Sequence, residues 1–235
     1  MVVKRWLCAA IGSLFVVGLP ARHSVAADLV PTQTYAAPVP RTVVAPLPLP
    51  RNSIFVFAGK LASGSMGDTA MFNLAADNER FENSIVGAAY QRDVWRWRGF
   101  VVGAEIGVAD RFGPYKVCCS NIVRSSIVHS GELWGGIVLR HDGVLLFNTV
   151  RFSAGGVAGL SATTNSIGSE REREISKPGN ARLLFYLGPE IAIAHVAAPD
   201  LELVARLHHR SGANGTLGNL MEGYNAWVFG ARWRF

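Results

Sequence analysis

The chain has 235 residues, 49% of them hydrophobic, with 25 Gly and a formal net charge of +6 from 23 Lys+Arg against 17 Asp+Glu. A charge this mild does not suggest a nucleic-acid partner. After the first two dozen residues no apolar run approaches the roughly 20 residues of a membrane helix, so a helix bundle in a membrane is excluded as well. A chain that is apolar overall but alternates locally fits a barrel better than a bundle.

Residues 1–27 read as a secretory signal peptide, with Lys4 and Arg5 in the basic region, an apolar stretch over 6–19, and Val25-Ala26-Ala27 as the small-residue cleavage site. Loss of Lys4, Arg5 and Arg22 with it leaves 20 basic against 17 acidic residues, a net +3. Residues 28–52 hold Pro31, Pro38, Pro40, Pro46, Pro48 and Pro50 and are expected to form an extended tether rather than a strand. The rest, 53–235, reads as one barrel domain.

Period-two alternation marks the strands in order. The first runs from Ile54 to Leu61, with Phe55, Phe57 and Leu61 on one face, and is followed by a long polar loop over 64–80. A weaker strand covers 83–92, and 93–98 is expected to be a turn whose Trp95 and Trp97 suit an interfacial aromatic girdle. In the third strand Phe100, Val102, Ala104, Ile106 and Val108 oppose Gly103, Glu105, Gly107 and Arg111. The loop 112–126 carries the adjacent Cys118 and Cys119. Their spacing fits neither a metal site nor a thioredoxin-like pair, and a vicinal disulfide, a bond to another chain and free thiols all stay open.

The fourth strand, 127–140, points Ile127, Leu133, Ile137 and Leu139 outward and Ser130, Glu132 and Arg140 inward, and His141-Asp142-Gly143 is expected to be its hairpin turn. The fifth, 144–160, is followed by a polar loop, 161–180, in which the run from Glu170 to Glu174 reads as a solvated face. The sixth, 182–194, places Leu183, Phe185, Leu187, Ile191 and Ile193 outward, with Arg182 and Glu190 inward. Residues 201–235 form the clearest hairpin. Leu201, Leu203, Ala205, Leu207, His209 and Ser211 share one face of the seventh strand. Trp227, Phe229, Ala231, Trp233 and the terminal Phe235 share one face of the eighth.

The expected fold is therefore all-β: an eight-stranded antiparallel transmembrane barrel of a Gram-negative outer membrane. Inward charges of both signs (Glu105, Glu132, Arg140, Arg151, Arg182, Glu190, Glu202, Arg206, Arg232) should fill so narrow a lumen as ion pairs, which argues against a porin. Connections after strands two, four and six are short and the others long, so the long loops should face outside.

Two residues break the apolar face of the seventh strand at that outer end. Ser211 becomes a nucleophile if His209 takes its proton and a third group orients the imidazole; Glu222 is the first candidate for that group and Asn225 the second. The amides of Gly212, Ala213 and Gly215 are candidates for an oxyanion hole. His208 is expected inward, as a hydrogen-bonding partner in the lumen, while His23, His129, His141 and His195 show no pairing signal. His-x-Ser alone is also what a polar strand end at a membrane interface would show.

The stretch Arg206-Leu207-His208-His209-Arg210-Ser211-Gly212, followed by Asn214-Gly215, Glu222-Gly223-Tyr224-Asn225 and the closing Gly230-Ala231-Arg232-Trp233-Arg234-Phe235, resembles the lipid A 3-O-deacylase family, also described as acyloxyacyl-hydrolase-like. The resemblance implies an outer-membrane barrel enzyme that hydrolyses the 3-O acyl ester of lipid A. Lipopolysaccharide would be the substrate, outer-membrane lipid the surroundings, and no metal or organic cofactor would be required. It implies Ser211 as nucleophile, His209 as base and Glu222 as orienting acid, although the Ser-to-Glu interval is slightly shorter than in the family. The rival expectations are a non-catalytic small barrel in adhesion or surface structure, and a phospholipase or acyltransferase on the same scaffold. Whether the barrel forms a homodimer stays open.

Overall fold

The computed structural model describes residues 49–62, 65–70, 83–116 and 123–235. The expected signal peptide, nearly all of the tether and the Cys118–Cys119 pair lie outside them. Of the two units into which the chain divides, the second, Pro46–Phe235, holds the described residues. The second unit holds β1 (Asn52–Ala62), α1 (Met66–Ala70), β2 (Ser84–Trp97), β3 (Phe100–Lys116), β4 (Val123–Leu146), β5 (Val150–Thr163), α2 (Gly168–Ser176), β6 (Leu183–His195), β7 (Leu201–Ser211) and β8 (Tyr224–Arg234). Among the described residues no helix is long and apolar enough to cross a membrane.

The eight strands pair antiparallel with their sequence neighbours, and β1 pairs with β8 to close the barrel. Asn52 and Phe235 exchange both backbone hydrogen bonds at the seam, at 3.2 and 2.9 Å. Closure leaves no strand edge unpaired, which is what a sheet needs in lipid, where no water can satisfy a free amide.

Parity sorts the side chains as the alternation predicts. Ile106, Val108, Leu133, Ile137, Leu139, Leu203, Phe229 and Trp233 lie exposed on the outside. An apolar exterior on a closed barrel is the form that spans an outer membrane. The inside buries six carboxylates (Asp93, Glu105, Glu132, Glu170, Glu190, Glu202) and six guanidinium groups (Arg111, Arg140, Arg206, Arg210, Arg232, Arg234) among the described residues. They form continuous layers. Arg206 grips Glu105 with two bonds, at 2.7 and 2.8 Å, and reaches Glu190 at 2.7 Å. Arg232 joins Glu190 at 2.6 Å and Glu202 at 3.2 Å, and Arg234 adds to Glu202 at 2.9 Å. Charges taken out of water persist only when paired and hydrogen-bonded, and these are.

The aromatic members of the lumen fill the gaps between the layers. Phe55 and Phe57 of β1 point inward with Trp134, Tyr186 and Tyr224. The Trp134 indole lies over Gly107, where a Cβ would collide with the ring. Its Nε1 donates to Glu105 at 2.7 Å.

Four expectations require correction. The turn between β4 and β5 is Phe147-Asn148-Thr149, not 141–143: Phe147 and Asn148 take φ of 51° and 55°, and the Thr149 amide donates to Leu146 O at 3.1 Å. Asp142-Gly143 is instead part of a bulge, with Gly143 at φ 103° and a register shift between His141 and Val144. Residues 93–97 continue β2, and the turn is Arg98-Gly99, at φ 48° and 86°. Arg182 is exposed at the long-loop end rather than inside the lumen.

The fourth correction concerns the Glu170–Glu174 run, which forms α2 and is not simply a solvated face. Glu170 is fully buried, ion-paired to Arg111 at 3.0 Å and to Arg210. Alternating Glu and Arg are good helix formers, and Glu170 supplies the carboxylate that two inward arginines need.

Candidate active site on the outer face

β7 ends at Ser211, and the chain returns to β8 through a loop with Ala213, Asn214 and Asn219 at positive φ. In the β7–β8 register His209 stands opposite Asn225 and Leu207 opposite Trp227; on the other side β6 sets Leu187 beside His209 and Phe185 beside Ser211. His209 and Ser211 are both half-buried and share the outer face, two residues apart.

The imidazole is held by Asn225, whose Oδ1 lies 2.5 Å from His209 Nδ1. A carboxamide oxygen only accepts, so Nδ1 carries the hydrogen and Nε2 is left as the acceptor. That is the tautomer a general base needs. The Ser211 hydroxyl donates to Met221 O at 3.3 Å and accepts the Ala213 amide at 3.0 Å. No hydrogen bond joins Ser211 to the His209 imidazole in this conformation, so the side chain must leave Met221 and approach Nε2 before His209 can take its proton.

Glu222 makes no ion pair with His209 among the described residues. It is partly exposed and its carboxylate lies 3.5 Å from Arg173 of α2. The expected order of candidates for the orienting group is thus reversed in this conformation. The signal was in the sequence: counting back by two from Phe229 and Trp227 puts Asn225 on the same outer face, whereas Glu222 belongs to the loop. Of the oxyanion candidates, the Gly215 amide is donated to Leu220 O at 2.9 Å and that of Ala213 to the Ser211 oxygen. Gly212 is the candidate whose amide makes no such bond among the described residues.

Sequence parity also left the cover of this face unseen. Leu207 belongs to the outer face yet is buried, as is Asn225. Trp227 Nε1 donates to the carbonyl of Thr69 at 2.7 Å, so α1 folds over the outside of β8 beside the His209–Asn225 pair.

Two other histidines make comparable bonds. His208 Nε2 meets Glu132 at 2.9 Å, with Tyr186 at its Nδ1 and Tyr224 on the same carboxylate at 2.5 Å. All four are buried inside the lumen, as expected for a structural partner. His129 pairs with Asp110 at 2.7 Å on the outer face, a pair that sequence parity misses because the two lie on different strands. Among the described residues no three His, Cys, Asp or Glu side chains converge as a metal site.

No protein-family profile matches the chain, and no curated protein sequence does. Solved structures of similar outline include the outer membrane enzyme PagL, at 10% identity and a TM-score of 0.45 over 78% of this chain and 99% of that one. Ail of Yersinia pestis matches at 14% identity and a TM-score of 0.37, over 79% of this chain and 99% of its own. Outer membrane protein W of E. coli matches at 9% and 0.39, over 80% and 98%. The set mixes proteins described as an enzyme, an attachment invasion locus protein and an outer membrane protein. These likenesses carry no assignment of activity.

Proposed function

We propose that this barrel is an outer-membrane hydrolase that removes an ester-linked acyl chain from lipid A of lipopolysaccharide, the 3-O chain by the sequence resemblance. The long loops face outside, which sets the end of β7 at the level of the outer leaflet. One observation carries the reading: an imidazole held at Nδ1 by Asn225, with no partner at Nε2 among the described residues, two residues from a serine on the outer face of the barrel.

In the proposed reaction Ser211 Oγ attacks the acyl carbonyl carbon while its proton passes to His209 Nε2. The sugar oxygen leaves with that proton, giving an acyl-serine. A water then attacks, its proton taken by the same nitrogen and returned to Ser211, and the fatty acid departs. Asn225 keeps the imidazole in the required tautomer and orientation, and the Gly212 amide is the candidate donor that remains for the oxyanion. Phe185, Leu187 and Trp227 supply apolar surroundings for the chain. No metal or organic cofactor enters this scheme.

The refolded protein in detergent micelles should be labelled by a fluorophosphonate at Ser211 and should hydrolyse a p-nitrophenyl ester. Ser211→Ala and His209→Asn should lose both properties while keeping heat-modifiable gel mobility. Labelling that persists in Ser211→Ala would contradict the reading. A non-catalytic surface barrel is the second reading, favoured by the Ser211 hydroxyl being turned to Met221 and by Glu222 being paired with Arg173. A folded parent that reacts with neither probe would favour it.

A further inference from the structure

A cleft of about 560 Å³ opens at the long-loop end, between α2 with its flanking loops and the ends of β3 and β4. It lies inside the roughly 300–1,000 Å³ of small-molecule sites, and neither Ser211 nor His209 lines it. We propose that this cleft is a carbohydrate-binding site for a short, uncharged oligosaccharide segment.

The wall carries balanced charge. Arg171 and Arg182 are matched by Glu172 and Glu174, so the cleft offers neither an anion nor a cation a net attraction. Arg171 is already engaged by Glu174 at 3.1 Å, whereas Glu172 and Arg182 have no side-chain partner among the described residues. One free acceptor and one free donor thus face the same space.

Carboxamides add oriented donors. Asn165 Oδ1 accepts the Thr164 hydroxyl at 2.9 Å, and Asn180 Oδ1 accepts the Arg182 amide at 2.8 Å. Their oxygens are fixed by the protein and their NH2 groups are left to donate; Asn83 adds a third carboxamide. Val128 and Ile175 give the wall an apolar surface. Spaced donors and an acceptor without net charge, set against aliphatic surface, complement a pyranose, whose hydroxyls both donate and accept and whose ring carbons present C–H groups. A phosphate would leave Glu172 opposing it, and an acyl chain would strand the amides and Arg182.

The site is separate from the ester chemistry and stands or falls without it. Two sources could supply such a saccharide: the glycan of bacterial lipopolysaccharide, or glycans of another cell. The test is titration of the refolded full-length protein in detergent micelles, by calorimetry and saturation-transfer NMR. The probes are a neutral O-chain oligosaccharide prepared from lipopolysaccharide, and lactose. Saturable binding of either supports the proposal, and the preferred probe identifies the source. Arg182→Ala and Glu172→Ala should each weaken binding about tenfold, the worth of a hydrogen bond to a charged group; both are solvent-accessible replacements that leave no buried charge. Ser211→Ala should bind as the parent does. Absence of binding by both probes, indifference to both cleft variants, displacement by inorganic phosphate, or loss in Ser211→Ala would each overturn it.

Discussion

Asn225, rather than an acid, orients the candidate base, and that distinction can be tested one side chain at a time. Removing the Oδ1 acceptor in Asn225→Ala frees the His209 tautomer, so ester hydrolysis should fall by about tenfold to a hundredfold, while Glu222→Ala should change it little. The reverse ranking in kcat would restore Glu222 as the orienting group. Asn225→Ala should leave the barrel folded. Inside the lumen the outcome differs. Arg206 pairs with both Glu105 and Glu190; in Arg206→Ala Glu190 keeps Arg232, but Glu105 is left buried without a cation among the described residues, so the change should cost about 3–5 kcal/mol or prevent insertion altogether. Urea unfolding in phospholipid vesicles measures that cost.

α2 is the element that sequence periodicity could not place. Its alternating charges carry no apolar stripe, and the partner of Glu170 is not a neighbour in sequence but Arg111 and Arg210 on β3 and β7. By contrast the outer and inner faces of β3, β4, β6, β7 and β8 were legible, because a strand buried on a polar core and facing lipid alternates by necessity. The β4–β5 turn misled for a local reason: Asp-Gly favours a hairpin turn and a bulge alike. The site was half legible. His209 and Ser211 stand out as polar breaks in an apolar face, but the bond to Asn225 depends on the β7–β8 register, which parity constrains and loop length does not.

The docking of α2 should also respond to pH. Burial alone would raise the Glu174 carboxyl, but the Ser166 hydroxyl, the Ala181 amide and Arg171 outweigh it and hold its pKa below the ordinary carboxylate value. Its contribution to pinning α2 beside β6 is therefore present above that ordinary value, about 4.3, and is lost as pH falls through the lowered one. Amide exchange at Ala181, corrected for intrinsic rates, should accelerate in acid, and Glu174→Gln should flatten the dependence. A pH-independent rate in the parent would contradict it.

The barrel of the second unit has a filled interior, with the candidate site on its outer face. Among the described residues six buried carboxylates meet six buried guanidinium groups and occupy the lumen, so planar bilayers containing the protein should show no discrete conductance steps. Phe229 lies exposed on the outer face and faces lipid, and Phe229→Arg should cost roughly 2–4 kcal/mol if it sits near mid-bilayer. If the patch formed by Ser211, His209 and Asn225 deacylates the lipid around it, lipid A itself carries the record. Mass spectrometry of lipid A from cells expressing the parent, Ser211→Ala, or neither reads that record without a surrogate substrate. Lipid A should be lighter by one acyl chain with the parent alone, with matching unmodified spectra from the other two. Lipid A unchanged by a folded, membrane-inserted parent, or still shortened by Ser211→Ala, would contradict the assignment.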